Sequence, residues 1–452
     1  MRSVGRMGLT HSSIVHAPID EVFAWHGRPG AFTRLAPPWG PPSLVKEAES
    51  LEDGTAILAF PGGLKWVAKH QPARFHPPNQ FVDKLDSWPL RSVMTWTHHH
   101  GFSEVGPDST RVTDTVDTPV PAALLRPMFR YRHRQLADDL ATHAWAAELT
   151  EGPLTVAMTG SSGLVGTALR ALLTTGGHRV IALVRRDPSG PYERRWDPDN
   201  PAKDLFTDVD AVVHLAGESI AGRFTNEHKK AVLDSRVAPT AALARVAAAT
   251  EPAPSFICAS AVGFYGYDRG DEVLDESSSR GDGFLADVVV DWEDAAAVAG
   301  GGRVVNVRTG IVQAAAGGTL RLMRPLFTLG LGGRLGDGEQ WLPWIGIDDL
   351  IDIYYRAIVD DRIVGPINAV APNAVRNKDY TAALAAAVHR PAIVPVPSIG
   401  PQLVLGSQGA QELALANQHV VPARLSELDH RFRMTEVGEV LRHQLGGDPA
   451  KA

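Results

Sequence analysis

The run TGSSGLVG, Thr159 to Gly166, sets Gly160, Gly163 and Gly166 at intervals of three between an apolar stretch and an Ala/Leu-rich one. That spacing suits the cradling of a pyrophosphate. The first glycine permits a tight turn, the second lets backbone N–H groups approach the anion, and the third lets helix and strand pack closely. The positive end of the following helix completes the cradle. A glycine pattern alone is weak evidence, and the strand before it and helix after it give it weight. About twenty residues on, an NAD site usually carries Asp or Glu for the ribose 2′-hydroxyl. Here VIALV ends instead in Arg185 and Arg186. A guanidinium pairs with a 2′-phosphate that a carboxylate would repel, so NADP(H) is expected ahead of NAD(H), with one of the two arginines merely facing solvent.

His98, His99 and His100 invite a metal reading. On a strand, His98 and His100 share one face and His99 takes the other. That gives two ligands at most, and no Cys or acidic third ligand is close in sequence, so no metal is expected. Cys258, the single cysteine, cannot form an intrachain disulfide and sits in SFICAS, where a small thiol packs as core. The run RPMFRYRHR at 126–134 is cationic and reads as a solvated helix start. A formal net charge of -7 provides no field for nucleic acid. The leader MRSVGRMGLTHSS has no apolar core, and no stretch of about 18 apolar residues occurs, so a cytoplasmic chain without a membrane span is expected.

These groups need a scaffold, and 452 residues exceed one core. Residues 10–150 carry short strand-like runs broken by PPWGPP, FPGG and HPPN, then a helical stretch from Pro121 to Leu149, an α+β pattern. TEGP at 150–153 marks a boundary. Beyond it LTVAMTG, HRVIALV, DAVVHLAG, SFICASAV and RVVNVRTG alternate with helical segments such as TALRALLTTG. Continuous apolar strands of this kind are buried on both faces, so an α/β, Rossmann-type doubly wound parallel sheet follows. The expected division is 1–150, 153–390 and a helical cap over 391–452.

With TGSSGLVG, HLAGESIAG (214–222), SRVAPT (235–240), ASAVGFYG (259–266), RTGIV (308–312) and GLGGRLGDGEQWLPWIGIDDL (330–350), the chain resembles the extended short-chain dehydrogenase/reductases. More narrowly it is similar to their atypical epimerase branch, often labelled NAD-dependent epimerase/dehydratase, including that branch's C-terminal domain. The resemblance implies cofactor roles for Gly160, Ser161, Ser162, Gly163, Leu164 and Val165, for Arg185 and Arg186, and for Leu215, Ala216 and Gly217. It implies the same for Arg236, and places Ile311 or Val312 near the nicotinamide. The N-terminal half, in SIVHAPIDEVFAWHGRPGAFTRLAPPW, WTHHHGF and TRVTDTVDTPVP, resembles a START-like (SRPBCC) domain, an α+β helix-grip fold with an apolar ligand cavity.

Members of the reductase class use a Tyr-x-x-x-Lys pair one helical turn apart. The corresponding segment, GDGFLADVVVDWEDAA at 281–296, has none: neither Phe284/Val288 nor Leu285/Val289 titrates. Ser260 matches the serine that hydrogen-bonds the substrate oxygen, and Tyr265, one residue further along than usual, reads either as an aromatic closing the turn or as a candidate substitute acid. Asp287 and Glu293 read as solvated helix residues. Two readings stand: an enzyme, either an NADP(H)-dependent oxidoreductase or an epimerase/dehydratase, for a small or amphipathic substrate, or a non-catalytic dinucleotide-dependent binding or sensing protein.

Overall fold

The computed structural model describes residues 8–40, 43–300, 302–397 and 399–448. The first seven residues of the leader, and 449–452 of the expected cap, lie outside them. The chain divides into two compact units, one formed mainly by residues before Gly152 and the other mainly by those after it.

The first unit is a seven-stranded antiparallel sheet. Its strands are β1 (Gly8–Val15), β2 (Ser43–Lys46), β3 (Thr55–Ala59), β4 (Lys65–His70), β5 (Gln80–Leu85), β6 (Thr97–Gly106) and β7 (Ser109–Asp117), in the order β1-β7-β6-β5-β4-β3-β2. Two short helices follow β1, and one long helix, Ala122–Ala147, follows β7. That helix buries Leu125, Phe129, His133, Leu136 and Leu140 along one stripe at helical spacing, and Tyr131, Gln135, Asp139, Thr142 and Ala146 beside it. RPMFRYRHR is thus not the wholly solvated start expected: Phe129, Tyr131 and His133 turn inward, while the arginines stay partly or wholly in water. Period-two burial selects the inward faces of the strands. On β7 these are Thr110, Val112, Asp114 and Val116; on β6, His98, His100 and Phe102. Titratable groups therefore interrupt an otherwise apolar interior.

The second unit is built on a seven-stranded, all-parallel sheet. Along the chain its strands are Thr155–Thr159, Arg179–Val184, Glu193–Arg195, Ala211–His214, Ser255–Ala261, Val304–Thr309 and Gly365–Ala369, and their spatial order is 3-2-1-4-5-6-7. Five of these are the apolar runs read from the sequence. The third was not expected because three polar residues, Glu193 to Arg195, carry no strand signal. Cys258 is buried as core in the fifth strand, where burial raises its thiol pKa far above the ordinary value. Residues beyond 391 are not purely helical: Asn417–Val420 is a strand that pairs in parallel with Asp268–Leu274. Among the described residues no helix is long and apolar enough to cross a membrane.

Candidate functional site

The order of the parallel sheet reverses at its first strand, so its C-terminal end and that of the fourth strand border the crevice where doubly wound folds take ligands. TGSSGLVG leaves the first of these strands and LAG leaves the other. Gly160 has φ +65°, and a Cβ there would sit 2.9 Å from the carbonyl carbon of Leu215 and 3.0 Å from the nitrogen of Ala216. A Cβ at Gly166 would lie 2.2 Å from the Gly160 oxygen. These two glycines hold the turn tight. Gly163 differs: its Cβ would meet only the Gly160 oxygen, at 3.2 Å, so its bareness serves space outside the turn. Thr159 ties the two strand ends together, its hydroxyl accepting from the N–H groups of Leu215 and Ala216 at 3.1 Å while contacting His214 Nδ1 at 2.7 Å.

The other expected cofactor residues gather around this turn. Ser161 is buried, Ser162 is exposed, and Leu164 and Val165, at the start of the helix Leu164–Thr175, are half-buried. Gly217 leaves room for Arg236, whose Cζ would be 3.3 Å from a Cβ at that position. Arg236 donates to the carbonyls of Glu218 (2.9 Å) and Val232 (3.0 Å), so it pins the loop after the fourth strand. Burial lowers its pKa, against the pull of Glu218. Val312 lies in the short strand Ile311–Gln313, paired with Trp344–Gly346. The chain just beyond it returns to the turn, since a Cβ at Gly317 would stand 3.1 Å from both Cδ atoms of Leu164.

Arg185 and Arg186 part company. Arg186 donates to both oxygens of Glu193, at 2.8 and 2.5 Å, and holds that carboxyl down to about 2 together with Ser189. Arg185 is exposed and has no partner among the described residues. One arginine is occupied by its own strand neighbour, and the other is available to an incoming anion.

Ser260 and Tyr265 do not line the crevice as a substitute acid pair would. Ser260 is 4% exposed and its hydroxyl donates to Glu293 at 2.6 Å. Glu293 is not a solvated helix residue: it takes Arg308 bidentately, from Nε at 2.9 Å and from Nη2 at 2.8 Å. Arg308 Nη1 in turn donates to the Tyr265 hydroxyl (3.1 Å), and that hydroxyl donates to Asn368 Oδ1 (2.7 Å). Tyr265 is 0% exposed, and burial raises its pKa despite Arg308. Its proton is committed to the fold. Asp287 is exposed, as expected, and pairs with Arg280. Removing the hydroxyl with Tyr265→Phe is expected to cost about 1–3 kcal/mol of stability, because Arg308 and Asn368 each lose a buried partner. Dinucleotide affinity should stay within twofold; chemical denaturation and a fluorescence titration check the two halves.

In the first unit the third ligand missing from the His98–His100 run is supplied across strands. Asp83 on β5 pairs in register with His98 on β6, and Asp114 on β7 with His100. Asp83, His98 and His100 are all buried, with one ligand atom each within 4.8 Å of the others. Burial disfavours the charged form of His100, yet Asp114 and Asp83 outweigh it and hold its pKa above the ordinary value.

A glycine turn at the reversal of a parallel sheet, with a small-residue loop facing it, defines a dinucleotide-binding doubly wound domain. Comparison with known proteins agrees: residues 156–283 match the NAD dependent epimerase/dehydratase family, and 396–444 a domain of unknown function (DUF1731). The chain belongs to the epimerase family. It is 42% identical over 291 residues to an epimerase family protein of Mycobacterium bovis, covering 63% of this chain and 96% of that protein. The crystal structure of a nucleoside-diphosphate sugar epimerase from Corynebacterium glutamicum is 47% identical, with a TM-score of 0.86 over 98% of this chain and 91% of its own. The human epimerase family protein SDR39U1, solved with NADPH, is 34% identical, with a TM-score of 0.60 over 65% of this chain and 99% of its own.

Proposed function

We propose that the second unit binds NADP(H) and acts as an oxidoreductase on a small or amphipathic substrate. Arg185 carries the reading: a guanidinium without a partner at the end of the second strand, where an NAD site would place a carboxylate. The fit of the turn supports it, since Gly163 leaves the helix N-terminus bare toward the crevice. The human relative solved with NADPH points the same way. When bound, the nicotinamide would supply hydride chemistry, and the residues named around the turn would hold and orient the dinucleotide. An amphipathic substrate is favoured by Leu322 and Leu326, exposed one turn apart on the helix Gly318–Thr328, whose start adjoins Leu164.

Arg185→Ala should weaken NADPH binding about 10- to 100-fold, the worth of one charge-assisted pair, and leave NADH unchanged. Arg186→Ala should change NADPH affinity less than threefold, because Glu193 already holds that side chain. Equal effects of the two substitutions, or an Arg185→Ala loss shared by NADH, would refute the assignment.

The non-catalytic sensing reading is favoured by one observation: Tyr265, the candidate substitute acid, is fully buried and its hydroxyl donates to Asn368. NADPH binding without absorbance change across a panel of carbonyl substrates would select it. For the first unit, a sheet followed by one long helix with a buried stripe supports the START-like ligand-binding reading.

A further inference from the structure

We propose that Asp83, His98 and His100 form a binding site for a divalent transition-metal ion of zinc-like preference inside the first unit. Asp83 Oδ2 lies 3.6 Å from His98 Nδ1 and 3.1 Å from His100 Nε2. Ligands held at about 2.0–2.1 Å around a tetrahedral ion stand about 3.3 Å apart, so these separations bracket the required value. A carboxylate and two imidazoles form a ligand set typical of such ions.

The outer nitrogens supply an independent argument. His98 Nε2 lies 2.9 Å from Asp114 Oδ1, and His100 Nδ1 lies 3.2 Å from the same oxygen. If both imidazoles donate these N–H groups to Asp114, both present bare nitrogens toward Asp83, the tautomers a metal needs. Carboxylates behind ligating histidines play this part widely. Asp114 is itself anchored: its Oδ2 lies 3.0 Å from His133 Nε2, and His133 Nδ1 lies 2.6 Å from the Ser13 hydroxyl. The outer nitrogens thus share one anchored carboxylate, and the inner nitrogens face Asp83, with His100 Nε2 within hydrogen-bond distance of its Oδ2. His70, opposite Asp83 in the β4–β5 register, has a buried Nδ1 with no hydrogen-bond partner, although it is not one of the three residues whose ligand atoms cluster. A buried imidazole nitrogen without a partner is costly unless something occupies the space before it.

The test uses the untagged full-length chain, stripped with chelator and dialysed against Zn2+, then against Co2+. One ion per chain is expected, with the strong visible absorption of four-coordinate Co2+. Asp83→Asn and His100→Gln should each weaken binding at least 100-fold, and Asp114→Asn about 10- to 100-fold, the range for carboxylates that orient ligating histidines from behind. His99→Gln, on the other face of β6, should leave it unchanged. Binding of less than a tenth of an equivalent by the wild-type chain would overturn the proposal. So would a stoichiometry that survives Asp83→Asn and His100→Gln but falls in His99→Gln. Because the wild-type measurement stands alone, misfolding of any variant does not rescue the site.

Discussion

Gly163→Asp is expected to abolish measurable dinucleotide binding while leaving the chain at least as stable as before. The two effects have opposite signs for one electrostatic reason. A carboxylate at position 163, immediately before the helix Leu164–Thr175, interacts favourably with the helix dipole, worth about 0.3–1 kcal/mol. The same carboxylate occupies the space and the field meant for the pyrophosphate, so affinity should fall by about 100-fold or more. Sterically the change is mild, since the new Cβ meets only the Gly160 oxygen at 3.2 Å. Gly166→Asp would behave differently: its Cβ would lie 2.2 Å from that oxygen, and both fold and binding should fail together. A thermal melt beside an NADPH fluorescence titration distinguishes them. Retained affinity in Gly163→Asp would show that the anion does not sit at this turn.

Glu293→Gln is expected to cost about 3–5 kcal/mol of stability, the penalty for leaving a buried cation without its counter-charge. The Arg308 side chain is 4% exposed and Glu293 13%, so solvent cannot replace the lost charge. The amide keeps the shape of the carboxyl and can still meet Ser260, which isolates charge as the variable. Replacing both partners, as Glu293→Gln with Arg308→Met, should recover much of the loss, because the neutral pair leaves no orphaned charge. Urea unfolding of the three proteins measures this. A single-variant loss under about 1 kcal/mol would mean that the Ser260–Glu293–Arg308–Tyr265 chain is peripheral to the fold, and would reopen Tyr265 as a proton donor.

What the sequence made legible was local. The glycine turn, the apolar strands and the missing Tyr-x-x-x-Lys pair all lie within short windows where spacing fixes geometry. The arginine pair after the second strand was legible as a pair. Its division of labour was not, because Glu193 selects Arg186 from an edge strand too short and polar to read. Ser260 and Tyr265 looked like chemistry for a related reason: their partners Glu293, Arg308 and Asn368 come from three other elements of the fold. Glu293 is one of four carboxylates on the helix Phe284–Ala297, and nothing in the local sequence sets it apart as the partner of Arg308 in RTGIV. The histidine run failed most instructively. Its even-numbered face was read correctly, but Asp83 and Asp114 enter through antiparallel register, which only tertiary packing sets.

The central claim is that the turn at Thr159–Gly166, read together with Arg185, holds NADP(H). Parallel titration of the full-length protein with NADPH and NADH, followed by nicotinamide fluorescence at one ionic strength, tests it most directly. NADPH is expected to bind at least tenfold tighter than NADH, the advantage disappearing in Arg185→Ala. Tighter binding of NADH, or no binding of either, would contradict it.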